Sequence, residues 1–240
     1  MNIPNLSLSV AESLLRSQSA KTGARAAARP QFTVAISREV GALGSTIARE
    51  IGRRLECPVY DREIVEKVAE DLKKPASEIR DLDERPTFWI EDWIIGLARK
   101  DIVSADTYLR HLVAAMRGVA ELGRCVIVGR GAPRILPPER TVRVRLIADR
   151  ADRIANISKQ RQCSERDAAE WVDRVEKERT EFALRSFGAD PADPHQYDLV
   201  LNTSRLSVHE CAEVVIQAFL RMEARAGQQV ALVKPGGVVT

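Results

Sequence analysis

The residues most capable of chemistry are gathered in one short stretch, residues 36–47, which reads ISREVGALGSTI. Gly41 and Gly44 let the backbone turn sharply and come close to an anion. Ser45 and Thr46 offer hydroxyls to a phosphate or to a metal ion. At the start of a helix, such a stretch presents unpaired N–H groups and the positive end of the helix dipole, which is what a phosphate site requires. Against the phosphate-loop pattern GxxxxGK[ST] the match is partial. Arg38 stands at the first Gly, Leu43 at the second, Gly44 at the Lys and Ser45 at the hydroxyl position. An ordinary strand-to-helix turn with two glycines is the alternative.

Further along, Asp61 follows the run CPVY and can serve as a ligand-facing carboxylate, as a helix N-cap, or as both at once. Arg130, in VGRGA directly after an apolar run, must face a crevice or be paired, and Arg134 follows it closely. The segment 164–187 carries Arg166, Arg174, Lys177, Arg179 and Arg185 among Glu170, Glu178 and Glu181. These cations can close over an anion, or they can form a solvated helix face laced with i,i+4 ion pairs.

The elements that position these residues follow from periodicity. Residues 32–37 (FTVAIS), 57–60, 124–129 (RCVIVG), 142–148 (VRVRLIA) and 198–202 (DLVLN) read as short strands rich in β-branched residues. Between them lie helical patterns. Ile47, Ile51 and Leu55 recur at one spacing. Ile64, Val65 and Val68 follow Asp61. A helix from Pro75 to about residue 84 comes next, and then helical pattern over 88–122 with a break near Ser104. Asp149 is expected to cap a further helix. Ser164 with Asp167, and Ser207 with Glu210, are spaced as capping boxes. No hairpin turn joins any pair of strands, so the pattern predicts an α/β fold: a parallel five-stranded sheet with helices on both faces. In such sheets ligands sit beyond the carboxyl ends of the strands, where the loops named above fall.

Bulk composition narrows the function classes. The chain has 240 residues, 45% hydrophobic, 30% charged and 5% aromatic, with net charge +3. Length and composition fit one sizeable core. The organisation expected is an N-terminal helix (7–18) and basic linker over 1–30, one domain over 31–225, and a loose tail over 226–240. The mild charge argues against a nucleic-acid surface. No apolar run reaches membrane-spanning length, and residues 1–30 have no apolar signal core. Cys57, Cys125, Cys163 and Cys211 match no metal spacing and fit a reducing compartment, so the expected location is cytoplasmic. Trp89, Trp93 and Trp171 read as core or interface anchors, with nucleobase stacking as the alternative.

Taken in order, the strings SREVGALGSTIA, CPVYDREIVEKVAE, CVIVGRGAPRIL, VRVRLIADRADRI and YDLVLNTSRLS resemble the cytidylate kinase-like family over roughly residues 32–220. That family lies in the nucleoside monophosphate kinase branch of the P-loop kinases. The resemblance implies a three-layer P-loop kinase-like sandwich, ATP and Mg2+ as cofactors, and a nucleoside monophosphate such as CMP as acceptor. It implies that Gly41, Gly44, Ser45 and Thr46 hold the donor phosphates, with Ser45 reaching the metal. Asp61 would face the acceptor or its metal. Arg130, with Arg134 behind it, would grip the acceptor phosphate, and Arg174 and Arg185 would close as lid cations. The family also lacks the usual loop Lys. It usually keeps Gly where this chain has Leu43, whose Cβ would hinder close backbone approach, and a basic residue where this chain has Ser45. Arg38 is the candidate to supply the missing charge. A catalytically inactive nucleotide- or anion-binding regulatory module on the same fold is the alternative function, and a kinase for another small substrate is a third. Partners expected are a small-molecule nucleotide and a possible second copy of the chain, with neither nucleic acid nor membrane.

Overall fold

The computed structural model describes residues 32–61 and 105–232. The expected helix at 7–18, the body of the helix after Asp61, the helix from Pro75 to about residue 84 and the helical pattern from 88 to the break near Ser104, and with them Trp89 and Trp93, lie outside those residues.

Five strands form one parallel sheet: β1 (Thr33–Arg38), β2 (Val59–Tyr60), β3 (Cys125–Val128), β4 (Thr141–Ile147) and β5 (Leu199–Asn202). Their order is β2-β3-β1-β4-β5, with every pairing parallel. β3 is buried at every position and β1 at its first four, because helices cover both faces of the central strands. On one face, α1 (Gly44–Leu55) sets Ile47, Ala48 and Ile51 against Val34, Ile36, Val126 and Val144. α6 (Val208–Leu232) adds Cys211, Val215 and Phe219 to the same core. On the other face, α2 (Ala105–Leu122) packs Leu112, Met116 and Val119 on Ala35 and Ile127, joined by the short α3 (Ala132–Ile135). The result is the expected three-layer sandwich.

α4 (Arg150–Arg161) and α5 (Glu165–Phe187) pack on each other. Their small core of Ile157, Ala168 and Val172 closes on Val40, from the turn after β1. Ser164 Oγ caps α5 by accepting from Asp167 N–H at 3.1 Å. Ser207 and Glu210 make the reciprocal pair at the start of α6, with Glu210 N–H donating to Ser207 Oγ and Ser207 N–H to Glu210 Oε2. Asp149 differs from expectation. It stands at the N-cap of α4, but its carboxylate makes no cap bond. Its N–H instead donates to Ser204 Oγ at 2.8 Å, tying α4 to the turn after β5. α3 was not foreseen, because four residues are too few to display a helical period. α6 runs to Leu232, past the expected domain end at residue 225.

Candidate functional site

The chain leaves β1 into α1 on one face and leaves β3 into α3 on the other. The two loops part at the carboxyl ends of these neighbouring strands, which opens a crevice at the point where strand order reverses. A cavity of about 1380 Å³ occupies that place. Arg38, Gly41, Gly44, Ser45, Thr46, Asp61, Arg130, Arg134 and Arg174 all line it. Arg185 does not. It lies off the cavity face of α5 and sits 3.6 Å from Glu181, an i,i+4 pair.

Arg38 ends β1, and its side chain passes between two glycines. A Cβ at Gly44 would stand 2.6 Å from Arg38 Cγ, and one at Gly129 would stand 2.1 Å from Arg38 Nη1. A side chain at Gly44 would thus collide with the stem of the arginine, and one at Gly129 would have to displace its guanidinium. Arg38 Nη2 reaches Asp61 Oδ1 at 3.4 Å, and Ser45 Oγ donates to Asp61 Oδ2 at 2.6 Å. The residue standing at the usual lysine position, Gly44, therefore makes room for a cation that arrives from the strand.

The loop keeps its shape despite Leu43. That residue takes the left-handed conformation a glycine would take, with φ 54 and ψ 20, and forms the N-cap of α1 without a side-chain bond. The conformation costs a residue with a Cβ about 1–2 kcal/mol. The leucine side chain packs against the core shared by α1 and α6, so the obstruction expected from its Cβ takes the form of backbone strain. Among the described residues, nothing accepts from the backbone N–H groups of Gly41, Leu43, Gly44 and Ser45. Four donors thus remain at the positive end of a helix.

Arg130 is a second strained residue. Its φ is 55, between Gly129 at 79 and Gly131 at 74. A left-handed run through a non-glycine residue is sustained only where the surroundings enforce it, and such residues gather at functional sites. Phe187, the last residue of α5, provides one constraint, since a Cβ on Gly131 would stand 2.2 Å from its ring.

The charges of the long helix divide between the cavity and the surface. Trp171, Arg174, Val175, Glu178, Arg179 and Phe182 form the cavity face at helical spacing. Toward its ends, Arg166–Glu170 and Arg185–Glu181 are surface i,i+4 pairs. The α5 arginines that line the cavity are therefore Arg174 and Arg179, and Arg185 lies outside its lining. Trp171 lines the cavity with Arg161 stacked on it, Cζ lying 4.7 Å from the ring centroid.

A layer behind these residues was missed in the sequence. Arg145 of β4 is 6% exposed and is the register partner of Ser37. It donates to Ser37 Oγ at 2.8 Å, and its Nη2 lies 3.8 Å from Glu176 of α5. Arg153 of α4 bridges Glu176 (3.3 Å) and Glu39 (3.5 Å). Alternation in VRVRLIA was the available signal. A parallel strand covered on both faces cannot leave two arginines in solvent, so each needed a partner. Arg143 finds Asp198, and Arg145 finds this cluster.

Nine cationic side chains line the cavity against four carboxylates, an excess larger than the net +3 of the whole chain. The thiols take no part. Burial pushes Cys125 up to about 12 and Cys57 up to about 11, so both stay protonated. For Mg2+, the described residues hold no group of three or more His, Cys, Asp or Glu. The hard oxygens of Ser45 and Asp61, 2.6 Å apart at the loop, fit an ion that takes one or two protein oxygens and completes its shell from phosphate and water. Among the described residues no helix is long and apolar enough to cross a membrane.

No curated protein matches the chain significantly. An uncharacterized protein from Eubacterium ventriosum ATCC 27560 shares the fold at TM-score 0.62 and 20% identity, over 80% of this chain and 99% of that one. A shikimate kinase from Bacteroides thetaiotaomicron aligns at TM-score 0.45 and 14% identity, over 80% of this chain and 97% of that one. The YorR protein from Bacillus subtilis, solved with phosphorylated GDP, aligns at TM-score 0.40 and 14% identity, over 80% and 98%. The profile described as the cytidylate kinase-like family matches residues 33–205, well over half of the chain. With the strand order, the glycine loop and the Gly-Arg-Gly turn all within that span, the chain belongs to the cytidylate kinase-like family, with the nucleotide-binding, kinase-like fold which that membership carries.

Proposed function

We propose that this protein is a phosphotransferase that moves the γ-phosphoryl group of ATP to a small phosphorylated acceptor, with a nucleoside monophosphate such as CMP as the first candidate. The observation that carries the reading is the seating of Arg38 between Gly44 and Gly129, beside four open loop N–H groups in a strongly cationic cavity. The loop 41–45 cradles the donor phosphates through those N–H groups. Arg38 supplies the positive charge that a loop lysine supplies elsewhere. Arg130, and Arg134 beside it, hold the acceptor's anionic group on the β3 side, and Arg174 and Arg179 cover the transferring group from α5. An acceptor oxygen attacks the γ-phosphorus, the bond to the β-phosphate oxygen breaks, and ADP leaves. Chemistry of this kind needs positioning and charge neutralisation more than covalent help, which is what a ring of guanidinium groups provides. Mg2+, held by Ser45 and Asp61, would neutralise the donor phosphates.

The inactive binding module is the second reading, and the strain at Leu43 favours it. A phosphotransfer assay with ATP, Mg2+ and a panel of monophosphates separates the two. ADP formation that depends on an acceptor and is lost in Arg130→Ala and Arg38→Ala supports the kinase and names its substrate. Nucleotide binding by calorimetry without turnover leaves the binding module in its place.

A further inference from the structure

Besides its own turn bond from Ala42 N–H to Glu39 O, the glycine loop is held by contacts from outside it. Val40 N–H donates to Glu176 Oε2 at 2.7 Å, across to the middle of α5. The Val40 side chain is buried with Ile157, Ala168 and Val172, inside the small core of α4 and α5. Asn156 of α4 donates to Gly41 O at 2.9 Å. The α4 backbone lies so close that a Cβ at Gly41 would meet Arg153 O at 2.5 Å. Glu176 is itself held by Arg153 and faces Arg145, whose buried Nε has no hydrogen-bond partner. The carboxylate does not cover the open N–H groups of Gly41, Leu43, Gly44 and Ser45, so it leaves the anion cradle free.

We propose that Glu176 is a positioning residue for the loop. It fixes Val40 from the helix that covers the cavity, and so enforces the left-handed Leu43 conformation that the loop's own sequence disfavours. Resting on the nucleotide-binding reading above, this explains how a chain without glycine at position 43 keeps an open cradle. It also makes loop geometry and the placement of α5 one variable. Any shift of α5 moves Val40, and any shift of Val40 moves the donors beyond it.

The test uses the full chain and three measurements on wild type, Glu176→Gln and Glu176→Ala: calorimetric affinity for ATP with Mg2+, hydrogen exchange resolved over residues 40–45, and thermal unfolding. Glu176→Gln keeps an oxygen for Val40 N–H but loses the charge facing Arg145 and Arg153. Misplacement of positioned groups costs up to about 100-fold. The expected result is therefore a 10-fold to 100-fold weaker affinity in Glu176→Ala, a smaller loss in Glu176→Gln, and faster exchange at the loop in both. Adding Leu43→Gly to Glu176→Gln should recover affinity, because glycine takes the left-handed conformation without strain; a merely structural carboxylate would not respond to that change. Unchanged or tighter affinity in the variants, with wild type binding, overturns the proposal. If wild type binds no nucleotide, the nucleotide reading falls. The exchange data then decide the positioning role alone: faster loop exchange in Glu176→Gln upholds it, and unchanged exchange ends it.

Discussion

Arg38 shows how a single side chain can dictate the residues around it. Gly129 carries φ 79, and its missing Cβ is the space that Arg38 Nη1 fills. Gly129→Ala therefore meets two penalties, a left-handed alanine worth about 1–2 kcal/mol and a displaced guanidinium. We expect a lower melting temperature together with weakened ATP affinity; a stability loss with affinity intact would mean that Arg38 is not used in binding. The cysteines make an independent prediction. Cys57 and Cys125 are raised by burial to about 11 and about 12, so in the native protein they should resist alkylation at pH 8 and react only on unfolding. Both values are raised above that of a free thiol, so the stability linked to them is complete below the free-thiol value of 9.0 and is lost as pH climbs toward the native values. A melting temperature flat up to pH 8 and falling beyond pH 9 is the expected profile.

At the scale of elements, the helix starts carry separable energies. Ser207 and Glu210 cap α6, the helix that puts Cys211, Val215 and Phe219 into the larger core. Ser207→Ala should lower stability by about 1 kcal/mol in denaturant unfolding, with ligand affinity unchanged, since the cap lies away from the cavity lining. An effect on affinity would mean that α6 transmits to the site. α5 has the opposite character. Its two ends carry surface ion pairs, whereas its middle presents Trp171, Arg174, Glu178 and Arg179 to the cavity and Glu176 to the loop. One helix thus serves as cover and as scaffold, and which residue does which is set by its rotation on α4.

For the whole molecule, the charge distribution matters more than the total. A net +3 spread over the chain would steer ligands weakly, but the cavity gathers nine cationic groups against four acids. Fields in such clefts are screened over about 8–10 Å at ordinary salt. Nucleotide association should therefore slow several-fold between low salt and about 0.15 M, as read by stopped-flow fluorescence. An association rate indifferent to salt would show that the cavity charge is neutralised internally and is not offered to the ligand.

Much of this architecture was legible in the residue order because it follows from local rules. Short β-branched runs separated by helical periods, with no hairpin turns, specify a parallel sheet, and the strand ends then name the loops that can bind. Gly41, Gly44, Ser45, Asp61 and Arg130 were found in that way, and they do meet in one cavity. The capping boxes at Ser164 and Ser207 were legible for the same reason, since their bonds span only a few residues. What the sequence left open depends on contacts between distant segments. The partners Glu39, Arg145, Arg153 and Glu176 come from a loop, a strand and two helices, and no spacing links them. That Arg179 lines the cavity and Arg185 does not rests on how α5 is rotated against α4. Leu43, a mismatch in the motif, keeps the loop's conformation because Val40 and Gly41 are held by α4 and α5. Local sequence determined the elements and the loops that could carry chemistry. Tertiary packing alone decided which charges line the cavity and what the loop packs against, because those are properties of surfaces brought together only when the chain folds.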